Sequence, residues 1–320
     1  MYTEGYLIMK SKQKNHFTWR QGLLVAVLVI AVYVLVPQLD QFRASFSAIQ
    51  DANIALLGLA FCSILVAALA AALSYEGLVF KRVSFYRIAL IQYAGMFINR
   101  LFPAGFGRLS LFVDFLYRQG HTFAQASTIA AVNNGLGFLG HITLLAVAGI
   151  VTGFGFIPHV TFNEPILYGI GAIIVGAAAW FVLRYVKQAQ NITKFLYNVL
   201  HTLTQFRTRE AALLRAYICC IVNTCLHVLA LALVIKAFNV DLPVAAVLVV
   251  LTGGLAAATV TPTPGGLVGV EAALTAVLIS YGINDGTALA IALSYRLVSY
   301  WLPIFPGIAA FWFVQKRNYI

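Results

Sequence analysis

Charged side chains embedded in apolar sequence long enough to cross a membrane set the chemistry open to this chain. Arg100, Arg108 and Asp114 fall in or just beyond FINRLFPAGFGRLS (Phe97 to Ser110). Glu271 closes TVTPTPGGLVGVE (Thr259 to Glu271), and Arg296 lies in a later apolar run with Tyr300 four residues on. A charge at bilayer depth costs about 2.5 kcal/mol or more, so it faces the protein interior, usually paired. Arginine stays protonated and forks onto phosphate or carboxylate oxygens. Arg296 is therefore expected to pair with Glu271. One reading makes that pair a buried structural contact. The other takes the excess of arginines over acids as positive potential for an anionic headgroup. Arg296 and Tyr300 share a helix face, although Tyr300 and Trp301 also suit an interfacial aromatic belt.

The same two segments are broken by Pro103, Gly105 and Gly107 and by Pro264, Gly265 and Gly266. Backbone that leaves the helix at membrane depth survives only where protein or a water-filled cavity satisfies it. Proline ends the preceding helix, and glycine allows positive φ and close approach. The returning helix then points its free N–H groups and positive dipole end into the protein, which suits an anion. A kink serving helix packing alone would use the same residues. Sliding the chain on itself by 161 residues (264 − 103) lays Phe102-Pro103-Ala104-Gly105-Phe106 over Thr263-Pro264-Gly265-Gly266-Leu267. Interrupted apolar segments at matching positions of two halves point to a transporter's substrate site.

The elements that must hold these residues are membrane helices. Apolar residues make up 61% of the chain and charged ones only 10%, against about a quarter charged in soluble domains. Apolar stretches of spanning length recur at 22–36, 53–73, 135–156, 166–183, 213–235 and 287–314. The chain reads as an all-α polytopic membrane protein. The run at 22–36 follows Lys10, Lys12, Lys14 and Arg20 as a signal peptide would, but Val36-Pro37-Gln38 offers no small-residue cleavage site, so a retained first helix is expected.

The net charge of +11 is distributed as topology and not as a nucleic-acid surface. Lys81, Arg82, Arg87, Arg118, the basic run from Arg184 to Arg215, Lys316 and Arg317 fall on one side of the spans. Asp40, Asp51, Glu164, Asp241 and Asp285 fall on the other. The positive-inside rule makes the first side cytoplasmic, with both termini there, and gives the chain some attraction for anionic lipid headgroups. On that parity 85–117 enters from the inside and returns, and 243–281 enters from the outside and returns. The expected architecture is about six full spans plus two re-entrant helical hairpins in an inverted repeat. It forms a single transmembrane domain over 1–320: tail and first helix 1–52, repeat half 53–156, linking helix and connector 157–212, and repeat half 213–320.

Other chemistry is scarce. Cys62, Cys219, Cys220 and Cys225 lie in apolar spans without metal-ligand spacing and read as small buried hydrophobes. His141 and His227 lie within spans without a spaced partner and read as packing residues or a proton relay. Gln125, Asn133 and Asn134 precede the span at 135–156 and suit either a polar seam or an interfacial turn. No Walker A loop, dinucleotide fingerprint, His/Glu metal motif or nucleophile elbow occurs. No ATP hydrolysis, enzyme activity, cofactor or metal is expected.

TPTPGGLVGVEAALTAVL and ALSYRLVSYWLPIFPG (Thr261 to Leu278, Ala292 to Gly307), with NRLFPAGFGR and AAVNNGLGFLGH, resemble the flippase-like integral membrane family that includes the transmembrane part of lysylphosphatidylglycerol synthase. The resemblance covers nearly the whole chain. It implies movement of lipids or lipid-linked precursors between leaflets of a bacterial or archaeal cytoplasmic membrane. Many relatives read Pro-x-x-x-Gly-Glu-x-x-Arg at the first hairpin, where this chain has Pro103, Gly107, Arg108 and Leu111; the family's charge preference is not carried over. Bifunctional relatives continue into a soluble aminoacyl transferase domain, and with the sequence ending at Ile320 lipid aminoacylation is not expected. Membrane lipids with an anionic headgroup are the expected partners, bound at a midplane site between the hairpins, with a homo-oligomer or partner enzyme possible and no nucleic acid. The alternatives are a non-transporting partner of a lipid-modifying enzyme or glycosyltransferase, and an ion-coupled carrier of a small anion.

Overall fold

The computed structural model describes residues 52–102, 106–152, 189–261, 266 and 268–320, all within one compact unit. The expected helices at 22–36 and 166–183 and the break residues Pro103, Gly105, Pro264 and Gly265 lie outside the described residues. Every regular element described is a helix: α1 (Ile54–Leu78), α2 (Phe85–Ile98), α3 (Phe106–Arg118), α4 (Phe123–Thr152), α5 (Ala189–Phe206), α6 (Glu210–Ala237), α7 (Val244–Val260), α8 (Gly269–Ser280), α9 (Asp285–Arg296) and α10 (Ile304–Lys316).

Four helical rods are long and apolar enough to cross a membrane: α1, α4, α6 and the run Asp285–Lys316. The protein is thus a multi-pass membrane protein. By contrast α2, α3, α7 and α8 have 14, 13, 17 and 12 residues. At 1.5 Å per residue these reach roughly 18–26 Å, short of a ~30 Å hydrocarbon core. Polar caps fix several ends. Asn53 Oδ1 accepts from the Ala55 and Leu56 N–H groups, and the Asn53 N–H donates to the Ala237 carbonyl at the end of α6.

The core sits between α1 and α6. Ala60, Ala67 and Ala72 on α1 are fully buried, and such small residues let membrane helices approach closely. Ser63 Oγ donates to the Leu226 carbonyl at 2.7 Å across the contact. Leu231, Val250, Leu274, Leu278 and Ile291 bring α6, α7, α8 and α9 into the same cluster. Elsewhere α10 packs on α2, where a Cβ on Gly307 would stand 2.9 Å from the Phe97 nitrogen. In turn α7 packs on α4, joined by His141 Nε2 and Thr252 Oγ1 at 2.9 Å. Thus α1 packs on α6, α2 on α10 and α7 on α4.

Two expectations are corrected. The span expected at 135–156 is a helix from Phe123 to Thr152, so Asn133 and Asn134 are helical and no interfacial turn precedes them. Its start is a reciprocal cap: the Gln125 N–H donates to Thr122 Oγ1, and the Thr122 N–H to Gln125 Oε1. Gln125 is therefore a capping residue. The aromatic belt fails as well, since Tyr300 and Trp301 are 0% and 6% exposed. Both lie on a π-helical turn, Leu297–Trp301, just ahead of Pro303 in the last rod.

A polar junction ties one end of the bundle. Arg209 donates to the Gly77, Leu78 and Val79 carbonyls and lies over the Phe80 ring, satisfying the open C-terminus of α1. Buried His121 accepts the Lys81 N–H on Nε2 at 3.2 Å, its Nδ1–H donating to the Leu116 carbonyl. Lys81 Nζ bonds the Gly120 carbonyl, linking the turns that follow α1 and α3.

Candidate functional site: an arginine-lined cavity within the bundle

The π turn determines where the charges meet. Arg296 closes α9, and its Nε donates to Glu271 Oε1 at 2.6 Å, both side chains being under 10% exposed. Glu271 stands in the first turn of α8, where the helix dipole favours a carboxylate. The Arg296 guanidinium carbon lies 4.1 Å from the Tyr300 ring centre, and that of Arg100 lies 4.2 Å from the same ring. Arg100 Nη2 donates to the Ser299 carbonyl at 2.9 Å. One tyrosine thus holds two cations, an arrangement an aromatic face stabilises more strongly once water is excluded. Arg100 Nε and Glu271 Oε2 are buried with no hydrogen-bond partner among the described residues.

These groups border a cavity of about 410 Å³. Arg100, Arg108 and Arg296 line it. Tyr75 on α1 and Gly95 on α2 face it, as do Asn223 on α6, Ala258 on α7 and Val270 on α8. Among the described residues no carboxylate lines it, and Glu271 is already held by Arg296. Arg100 and Arg108 have no carboxylate partner among the described residues, so the lining is positive.

Glycine positions close both broken pairs. A Cβ on Gly107, in the first turn of α3, would stand 2.6 Å from the Ile98 carbonyl oxygen at the end of α2. A Cβ on Gly269, opening α8, would run into Thr261 Oγ1 at the end of α7. Gly266 has φ +68° and lies against the Ala258 backbone. Gly95 leaves room for the stem of Arg108. In both pairs, then, the second helix starts against the end of the one before it, and a side chain at the glycine would clash.

The expected site residues therefore separate. Arg100, Arg108 and Arg296 reach the cavity, with Glu271 and Tyr300 directly behind Arg296. Gly107 and Gly266 shape the turns. Asp114 does not join them; it forms an exposed pair with Arg118 on its own helix at 3.0 Å.

Several cavity residues escaped the sequence reading. Gln92 on α2 and Asn99, which caps its end, face it, as do Asn223 and Thr224 from α6. His141 and His227 also do, and each has helical-spaced polar neighbours after all: Asn133 and Asn134 for the first, Asn223 and Thr224 for the second. The signal was polar residues three, four, seven or eight apart inside apolar helices, which puts them on one face.

No curated protein matches the chain. The family model described as lysylphosphatidylglycerol synthase TM region matches residues 22–307. On that match the chain belongs to the lysylphosphatidylglycerol synthase TM region family, a membrane family of lipid-related function.

Proposed function

We propose that this protein moves a lipid or lipid-linked precursor between leaflets, binding its anionic headgroup in the arginine-lined cavity while the acyl chains stay in the bilayer. The observation that carries this reading is the pair Arg100 and Arg108, facing a cavity to which both halves contribute and which no described carboxylate borders. A charge without a carboxylate partner within membrane-length helices is costly and marks a substrate path by default. A volume of about 410 Å³ lies at the low end of small-molecule sites, about 300–1,000 Å³, enough for a headgroup and too small for a whole lipid.

The same reading takes the short pairs α2/α3 and α7/α8 as re-entrant hairpins of an inverted repeat. The exchange of partners between halves and the glycine closure common to both pairs support it. The protein would then sit in the cytoplasmic membrane of a prokaryote with both termini inside, acting as a carrier without covalent chemistry. Proteoliposomes containing a fluorescent anionic phospholipid and a leaflet-specific quencher test it. Wild type should transfer the probe, and Arg100→Gln or Arg108→Gln should slow transfer at least about tenfold, since a hydrogen bond to a charged group contributes about 1.5–3 kcal/mol. Unchanged transfer in both variants would overturn the site.

A further inference from the structure

The two parts of the last rod pack on different neighbours. Its first part, α9, lies against α8: Leu274 and Leu278 share a buried cluster with Ile291 and Ala292, and the Arg296–Glu271 contact closes that pairing. Its second part, α10, lies against α2, where Gly307 sits on the Phe97 backbone and the Phe97 and Phe311 rings are 5.8 Å apart. Between the two the backbone leaves the α register. The Leu302 N–H donates to the Leu297 carbonyl, five residues back, and Pro303 follows. Both the π turn and the proline interrupt the ladder of bonds along a helix, so this is the point at which the rod can hinge.

A residue from outside the rod holds that point. In an α register the Ser299 carbonyl would accept from residue 303, and proline has no N–H to give. Arg100 supplies a donor instead. From the turn that follows α2, its Nη2 reaches the Ser299 carbonyl at 2.9 Å, and its guanidinium carbon lies 4.2 Å from the Tyr300 ring centre. Arg296 approaches the same ring from the end of α9, at 4.1 Å. Arg100 and Ser299 both border the cavity.

This position does not satisfy Arg100 fully. Its Nε is buried with no hydrogen-bond partner among the described residues, and it shares one aromatic ring with a second cation. A phosphate in the cavity offers the Nε and Nη2 edge a bidentate partner, drawing the guanidinium away from the carbonyl and the ring. A ligand shifts a conformational equilibrium only through different contacts in the two states, and here Arg100 provides that difference.

We propose that Arg100 is a latch on the π turn: it caps the Ser299 carbonyl in one position, and a phosphate-bearing anion in the cavity draws it into another, freeing α9 with α8 to move against α10 with α2. This rests on the anionic-headgroup reading above and adds the route by which occupancy of the site reaches the surrounding helices.

The test is hydrogen–deuterium exchange over residues 297–307 of the purified full-length protein, with dioctanoyl phosphatidic acid, inorganic phosphate and the uncharged dioctanoylglycerol as probes and the binding of each measured in parallel. Saturating phosphatidic acid should speed exchange in this segment at least about tenfold, as expected for loss of a hydrogen bond to a charged group, and dioctanoylglycerol should leave it unchanged. Arg100→Gln should show the fast exchange without any probe. Pro303→Ala gives Ser299 an N–H from its own helix and changes no residue lining the cavity; it should bind phosphatidic acid as wild type does and keep slow exchange with and without it. If that variant does not fold, wild type and Arg100→Gln decide together. Inorganic phosphate producing the same release would support the latch and make the anion alone its trigger. Phosphatidic acid bound without a change in exchange, equal release by dioctanoylglycerol, or full release in Pro303→Ala would overturn the latch and leave the anion site standing. Phosphatidic acid and inorganic phosphate both failing to bind would overturn the anion reading and the latch with it.

Discussion

Arg296 Nε and Glu271 Oε1 stand 2.6 Å apart, joining the end of α9 to the first turn of α8. Both side chains are under 10% exposed, and removal of one partner strands the other charge in a low-dielectric surrounding. Glu271→Gln should therefore lower stability by about 3–5 kcal/mol, seen as a drop in the melting temperature in detergent. An unchanged melting temperature would show that Glu271 is solvated in the working protein.

Gly107→Ala should destabilise the tip of the first broken pair, because the added methyl would press on the Ile98 carbonyl at 2.6 Å. Overpacking of this kind costs about 1–3 kcal/mol. Gly266→Val should behave similarly and lose expression as well as activity, since φ +68° and the Ala258 backbone both exclude it. Thermal denaturation of detergent-solubilised variants measures both; wild-type melting in either would refute the close approach.

His121 lies outside the membrane rods, and burial holds its imidazole below the ordinary value of 6.5, with Lys81 adding to the effect and the Leu116 carbonyl opposing it. The folded state thus binds fewer protons than the unfolded one. The associated stability is complete above 6.5 and is lost as pH falls from there toward the folded value. Melting temperature should fall between pH 7.5 and pH 5 more steeply in wild type than in His121→Gln. Parallel curves would exclude this histidine as a source of the acid sensitivity.

Arg209→Ala should free three carbonyls at the end of α1 and lose the stacking on Phe80. Hydrogen bonds to a charged group contribute about 1.5–3 kcal/mol, so a clear loss of thermal stability is expected while lipid transfer per folded molecule is retained. Loss of transfer at full stability would assign Arg209 a role in transport.

The orientation is tested by Arg118→Cys and Asp285→Cys in a cysteine-free background. Impermeant reagent should label residue 118 from the cytoplasmic side and residue 285 from the outside. Labelling of both from one side would end the inverted repeat.

The sequence by itself determined the class of fold and the identity of the charged partners. Apolar length depends only on composition, so the rods around α1, α6 and 285–316 were legible. So was the Arg296–Glu271 pair, because an isolated charge at depth is costly enough to require a partner. Local signals also marked both glycine turns. Tertiary structure alone decided which polar groups share one space. Gln92, Asn133 and Asn223 lie on three helices far apart in sequence, and no local rule fixes how those helices rotate about their axes. Packing decides it, through small residues such as Ala60 and Ala67 that let α1 settle on α6. The same holds for Tyr300, whose spacing from Arg296 fitted a membrane-surface belt as well as a buried ring, until the π turn and the approach of Arg100 placed two cations on its face. Asp114 shows the converse: its position in the sequence pointed toward the cavity, yet one helical turn sufficed to pair it with Arg118 instead.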